Sequence, residues 1–213
     1  MSKAIECAGK PEYWEKATSD LIKWDRVMRR VIPKYAGFCL TTRNDPFVTL
    51  ARSIVGQQIS VASAQAVWDR LLVAVPEFTP ARVGRVQIDR LRACGLSQRK
   101  AHYIHDLAAH FRQGGMRIDD WHDLDDESVI AALTRIRGVG RWTAEMFLIF
   151  NLMRPDVLPM DDIGLQKAVS QHYFSRDPVT RSELREVAEN WAPWRSVGTW
   201  YMWRSMDPLP VEY

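Results

Sequence analysis

Leu133-Thr134-Arg135-Ile136-Arg137-Gly138-Val139-Gly140-Arg141-Trp142-Thr143-Ala144 leads into an apolar helical run and then into Pro159-Met160-Asp161-Asp162-Ile163-Gly164-Leu165-Gln166-Lys167. The glycines of the Gly-x-Gly element allow positive φ and close backbone approach, so a tight turn is predicted between two helices. Leu133, Ile136 and Val139 would pack those helices together. The start of the second helix then presents several backbone N–H groups, an array suited to a phosphate. Gly140, Arg141 and Thr143 add polar groups on the same side. Twenty residues after Trp142, Asp162 opens a third helix, where the helix dipole and unused amides favour an ionised carboxylate. Taken singly, the turn is a common helix connector and the aspartate a common N-cap. Together they suggest a nucleic-acid grip beside an acid.

The flanking sequence is helical as well. Apolar spacing predicts helices at about Pro11 to Val31, Pro46 to Val55, Val61 to Val73, Gln87 to Ala93, Gln98 to Gln113, Asp126 to Ile136, Arg141 to Asn151, Ile163 to Tyr173, Arg181 to Trp191 and Arg195 to Met206. No alternating pattern is long enough to build a sheet. The expected class is all-α. Asp45 before Pro46, together with Ser97 and Asp125, reads as a set of N-caps, and Gly114-Gly115 closes the helix that Ser97 opens. The acidic stretch Asp119 to Glu127 is best read as a solvated loop whose last carboxylates face a helix N-terminus.

Composition narrows the function classes. The chain has 213 residues, 46% hydrophobic and 26% charged, which suits a folded globular unit and not a disordered one. A formal charge of +3 permits a polyanionic partner without demanding one. No apolar run reaches the roughly 18 residues of a membrane span, and Met1 to Lys10 lacks a signal-peptide core, so a cytoplasmic protein without a membrane partner is expected. Cys7, Cys39 and Cys94 are dispersed and form no metal-binding pair. His102 and His105 lie three apart on a helix, but no carboxylate or thiol completes a metal site.

Several ordered motifs then carry a resemblance: Arg52-Ser-Ile-Val-Gly56-Gln57-Gln58-Ile59-Ser60, Gly95-Leu-Ser-Gln-Arg-Lys100-Ala, Gly138 to Ala144, Asp161-Asp162, and Pro193-Trp194-Arg195-Ser196. Over about Pro46 to Met206 the chain resembles the HhH-GPD superfamily of base-excision DNA glycosylases, within it the 3-methyladenine DNA glycosylase II (AlkA) type in a compact form without an N-terminal β-domain. The resemblance implies a two-lobed helical fold with a helix-hairpin-helix motif and an active-site cleft between the lobes. Residues 1–213 would form one glycosylase unit, a hairpin-bearing lobe at about 46–154 and a second lobe from about 1–45 plus 155–213.

It further implies roles for individual residues. The family pattern of Asp, two residues, an aliphatic, one residue and a basic residue selects Asp162 as catalytic, with Leu165 and Lys167 in register and Asp161 out of it. Gln57, Gln58 and Ser60 fall in the DNA-plugging region, with Gln58 at the wedge position. Gly138, Gly140, Arg141 and Thr143 would grip the backbone. Trp142 occupies the slot where bifunctional relatives carry a Schiff-base lysine, which implies base release without strand cleavage.

Trp142 and Trp203 match pocket tryptophans, whereas Met146 and Ile163 replace tyrosines and make the pocket less aromatic. Of the nearby tryptophans, Trp191 and Trp194 are expected in the core and Trp203 exposed in the pocket, with Trp200 left open. Main-chain carbonyls of Thr134, Ile136 and Val139 would hold a structural sodium or potassium ion, with Arg137 replacing a usual proline, and catalysis itself would need no cofactor. The implied partner is double-stranded DNA carrying alkylated purines, bound by a monomer, in the nucleoid if bacterial. Two alternatives remain: a glycosylase for uracil, hypoxanthine or ethenoadenine, and a non-catalytic hairpin module that only binds DNA.

Overall fold

The computed structural model describes residues 9–42, 44–114 and 121–206. Among these residues the regular structure is helical, without a strand. In chain order the helices are α1 (Trp14–Trp24), α2 (Met28–Val31), α3 (Pro46–Gly56), α4 (Val61–Ala74), α5 (Pro80–Val83), α6 (Ile88–Ala93), α7 (Gln98–Arg112), α8 (Asp126–Leu133), α9 (Arg141–Phe150), α10 (Ile163–Tyr173), α11 (Arg181–Glu189) and α12 (Arg195–Met206). A 3-10 turn at Ile32–Tyr35 continues α2. No described helix is long and apolar enough to cross a membrane. Cys7 and the start of the acidic stretch at Asp119 lie outside the described residues, as does Gly115.

Local side-chain chemistry explains most helix starts. Asp45, Ser60, Thr79, Ser97, Asp125, Asp162 and Thr180 each accept a backbone N–H from the first turn of the helix that follows. Thr180 and Glu183 form a reciprocal capping box. The single helix expected over Pro11 to Val31 is instead broken at Asp25. That residue is extended, at φ −125° and ψ 125°, and its Oδ1 accepts the N–H groups of Val27 at 2.7 Å and Met28 at 2.9 Å. The carboxylate therefore ends α1 and starts α2, a competition with helix continuation that apolar spacing does not register. Helix α8 stops at Leu133, three residues short of the expected Ile136, with Thr134 as its C-cap.

The chain divides into two units, with the boundary inside α9 between Phe147 and Leu148. In the unit that includes residues 9–42 and 148–206, α12 packs on α10, α1 and α2. Trp14 meets Trp200 edge to face with ring centroids 5.1 Å apart. Gly198 lies so close to fully buried Trp191 that a β-carbon there would stand 2.8 Å from the indole. In the unit spanning residues 44–147, α3 packs on α4 and α7, and α7 also packs on α5 and α6. Phe47 stacks on Phe78 at 5.6 Å and meets Phe111 edge-on at 5.3 Å, while Leu50, Leu71, Ile104 and Leu107 are sealed from solvent. Each such side chain contributes about 1.5–3 kcal/mol of burial free energy, so the apolar stripes give each unit its own core.

Candidate functional site

In the first unit the chemistry centres on the start of α10. Asp162 is the N-cap, at φ −76° and ψ 114°, and only 8% of it is exposed. Its Oδ1 accepts the Leu165 N–H at 2.6 Å and the Trp203 indole N–H at 2.8 Å. Two N–H donors on one oxygen, at a helix N-terminus, fix the position of the carboxyl group. Gly164 keeps this arrangement tight: a β-carbon there would lie 3.1 Å from Oδ1 and 3.3 Å from Trp203 Cδ1. Trp203 stacks on Phe150 with centroids 5.8 Å apart and planes 13° from parallel. Neighbouring Asp161 has a different environment, exposed and ion-paired with Arg181. Ile163 is 64% exposed.

The second unit holds the hairpin. Ile136 N–H bonds to Leu133 C=O and Val139 N–H to Ile136 C=O, both at 3.0 Å, which closes the turn between α8 and α9. Gly138 has φ +87°, and a β-carbon on it would overlap the Tyr103 ring. Gly140 differs, because a β-carbon there would meet nothing within 4 Å. The first amides of α9 follow at once, where a helix has no acceptors of its own to offer them. Arg137 folds over Tyr103, its guanidinium carbon 5.9 Å from the ring centroid, and pairs with Asp106. The turn thus closes without a proline at 137.

The loop between α3 and α4 belongs to the same unit. Gln58 is exposed and left-handed at φ +60°, and Ser60 caps α4. Gln57 turns inward: its side-chain N–H groups donate to Gly138 C=O at 3.0 Å and to Thr143 Oγ1 at 2.9 Å. Lys100, on α7, donates to the carbonyls of Val55 at 2.8 Å and Gln57 at 2.7 Å, and its burial lowers its pKa.

Several expectations need correction at the level of the side chain. Thr143 was expected to face a phosphate, yet its hydroxyl is buried against Gln57, because the first turn of α9 is packed on the loop after α3. Gln57 is likewise committed to the hairpin. Arg141 was expected to point at a backbone phosphate but is forked by Glu127, with Nη1 to Oε2 at 2.9 Å, and by Glu145 at 3.0 Å. Trp203 was expected to be exposed; it is buried beneath Asp162 and Phe150. Met146 is fully enclosed, whereas Trp142 is half-buried. Trp194 is also half-buried, its indole donating to Asp20 Oδ2 at 3.1 Å, and Trp200 is in the core. His105 bonds to Val86 C=O at 2.6 Å. Lys100, Tyr103 and the two glutamates on Arg141 escaped the sequence reading. Only Lys100 carried a signal, through its place in the Gly95 to Ala101 motif.

A helix-hairpin-helix turn, a glutamine loop locked to it and a capping aspartate twenty residues after the hairpin tryptophan define a class. The chain belongs to the HhH-GPD superfamily of base excision DNA repair proteins, whose family model matches residues 51–193. It is similar to DNA-3-methyladenine glycosylase 1 of Schizosaccharomyces pombe, 30% identical over 188 residues that span 85% of this chain and 81% of that protein. A solved structure of S. pombe 3-methyladenine DNA glycosylase in complex with abasic DNA matches with a TM-score of 0.82 at 28% identity, over 93% of this chain and 99% of that one. DNA-3-methyladenine glycosidase of Bacillus halodurans matches with a TM-score of 0.72 at 32% identity, over 89% and 88% of the two chains.

Proposed function

We propose that this chain is a monofunctional DNA glycosylase that hydrolyses the N-glycosidic bond of alkylated purines, 3-methyladenine and 7-methylguanine, in duplex DNA. The observation that carries the reading is the buried Asp162 carboxylate, held by the Leu165 amide and the Trp203 indole in a chain of this superfamily. As the glycosidic bond breaks, its electron pair stays with the departing purine and positive charge grows on the sugar. A fixed anion stabilises that charge more in the transition state than in the ground state. Water then bonds to C1′ and gives up a proton, with Asp162 as electrostatic partner, acceptor or both. An alkylated purine is already cationic and leaves neutral, so it needs no strong protein acid.

The remaining residues serve access and grip. A base inside the duplex is reached only by flipping, with Gln58 as the exposed plug of the vacated stack and Ser60 beside it. The hairpin amides around Gly138 and Gly140 grip a phosphate. Trp142, at the lyase-lysine slot, stacks on the cationic base. Ile136 C=O accepts the Val139 N–H, and among the described residues the carbonyls of Thr134 and Val139 accept no backbone hydrogen bond, a donor set of oxygens that fits a sodium or potassium ion. Such an ion would stiffen the turn and add positive charge near the phosphate. The chain would act as a monomer on chromosomal DNA in the cytoplasm.

The test is chromatography of free bases released from methylated duplex DNA, beside duplexes carrying uracil, hypoxanthine or ethenoadenine. Release of 3-methyladenine and 7-methylguanine is expected. Release of another base alone would change the substrate, and tight binding of abasic duplex without any release would leave a binding module.

A further inference from the structure

We infer that Lys100 is a positioning residue that sets the DNA plug Gln58 in register with the phosphate-gripping hairpin, an inference that rests on the glycosylase reading above. The last carbonyls of a helix lack partners within it. At the end of α3 the backbone supplies only long bonds, Gln57 N–H to Ile54 C=O and Ile59 N–H to Gly56 C=O, both at 3.4 Å. The short ones come from one ammonium, Lys100 Nζ, on the carbonyls of Val55 and Gln57 that flank the turn into Gln58. Gln58 itself is left-handed at φ +60°, a conformation that costs a non-glycine residue free energy and persists only where its surroundings hold it.

The same residue whose carbonyl Lys100 takes is also tied the other way. The Gln57 side chain donates to Gly138 C=O and Thr143 Oγ1, in the hairpin turn and the first turn of α9. The sequence Lys100, Gln57 backbone, Gln57 side chain, hairpin is therefore continuous, with every contact at 3.0 Å or less. Lys100 is itself placed by the start of α7, where its N–H donates to the Ser97 cap. The ammonium touches no reacting atom in this arrangement; it acts through Gln58. A lysine suits the task because one compact cationic head reaches two converging carbonyls.

The experiment is a double-mutant cycle read by plug insertion. A duplex with an abasic-site analogue opposite 2-aminopurine is titrated with the full chain as wild type, Q58A, K100M and the double variant, and affinity is followed by fluorescence. K100M keeps the apolar stem and removes both donors. It is expected to weaken binding about tenfold, the scale of lost hydrogen bonds to a charged group, and to match Q58A. The double variant should be no more than about twofold worse than Q58A alone, because both changes remove one interaction. K100R, which keeps charge and donors, should recover most of the loss.

Multiplying losses in the double variant, or wild-type binding by K100M, would overturn the inference. If K100M does not fold, K100Q takes its place in the cycle with the same expectations, since its side chain is shorter and uncharged. The readout needs no catalysis, so a wild type that releases no base would defeat the glycosylase reading while leaving the cycle's result to stand by itself.

Discussion

Replacing Trp203 with phenylalanine tests the partnership that distinguishes Asp162 from its neighbour. The indole N–H sits 2.8 Å from Asp162 Oδ1 with both residues buried, and hydrogen bonds to charged groups in such settings contribute about 1.5–3 kcal/mol. Phenylalanine preserves a ring to stack on Phe150 but leaves a void where the five-membered ring was, adding about 1 kcal/mol. A loss of about 2.5–4 kcal/mol in urea unfolding is expected from these two effects. The catalytic effect is separable. With one donor gone the carboxylate is less well placed, and misplacement near 1 Å costs on the order of a hundredfold in rate. Single-turnover base release should therefore fall at least about tenfold with little change in the affinity for abasic duplex. W200F is the control, since Trp200 is a buried ring packed edge-on against Trp14. It should lose stability and keep most of the rate. Equal rates for W203F and wild type would refute the reasoning.

The two hairpin glycines should behave differently. G138A places a β-carbon in the Tyr103 ring at a φ of +87°, so it should lower the urea midpoint by at least about 1–2 kcal/mol of stability. G140A meets nothing within 4 Å among the described residues and should leave stability within about 0.5 kcal/mol while weakening duplex binding, measured by fluorescence anisotropy. Equal stability losses would show that the turn needs both glycines for itself. Acid should weaken the start of α8: hydrogen bonds from the Ser128 N–H and Oγ hold the Asp125 pKa below its ordinary value. Its contribution is then complete above about pH 4 and is lost as the pH falls through the lowered folded value. D125S keeps a cap but removes the titration, so its urea midpoint should fall less steeply below about pH 4; parallel curves would contradict this. Finally, borohydride should trap no covalent adduct between wild-type protein and lesion-bearing DNA, because Trp142 stands where an amine would be needed. An adduct would end the monofunctional reading.

Features written into neighbouring residues were the readable ones. Asp162 as N-cap of α10, Asp45 before Pro46 and the turn at Gly138 all follow from interactions within four residues, and they appear where expected. Asp162 and Asp161 also differ in their surroundings, one buried and capping, the other exposed and paired with Arg181. What sequence could not give depends on distant chain. Trp203 lies forty-one residues from the carboxylate it donates to, and nothing in its own neighbourhood separates a buried donor from an exposed pocket wall. Arg141 looks like a phosphate ligand until Glu127 is brought beside it from α8. The unlike demands at Gly138 and Gly140 come from Tyr103, thirty-five residues upstream of the first glycine, and from empty space at the second. The break at Asp25 was local but invisible to apolar spacing, since a single side chain made it.

The central claim, that the Asp162 charge drives base release, is tested most directly by D162N. Asparagine caps a helix nearly as well as aspartate, so folding should be kept while the charge is removed. Single-turnover release of 3-methyladenine from methylated duplex should fall by about 10²–10³ or more, with affinity for abasic duplex kept to within about threefold. Undiminished release by D162N, with binding intact, would contradict the claim.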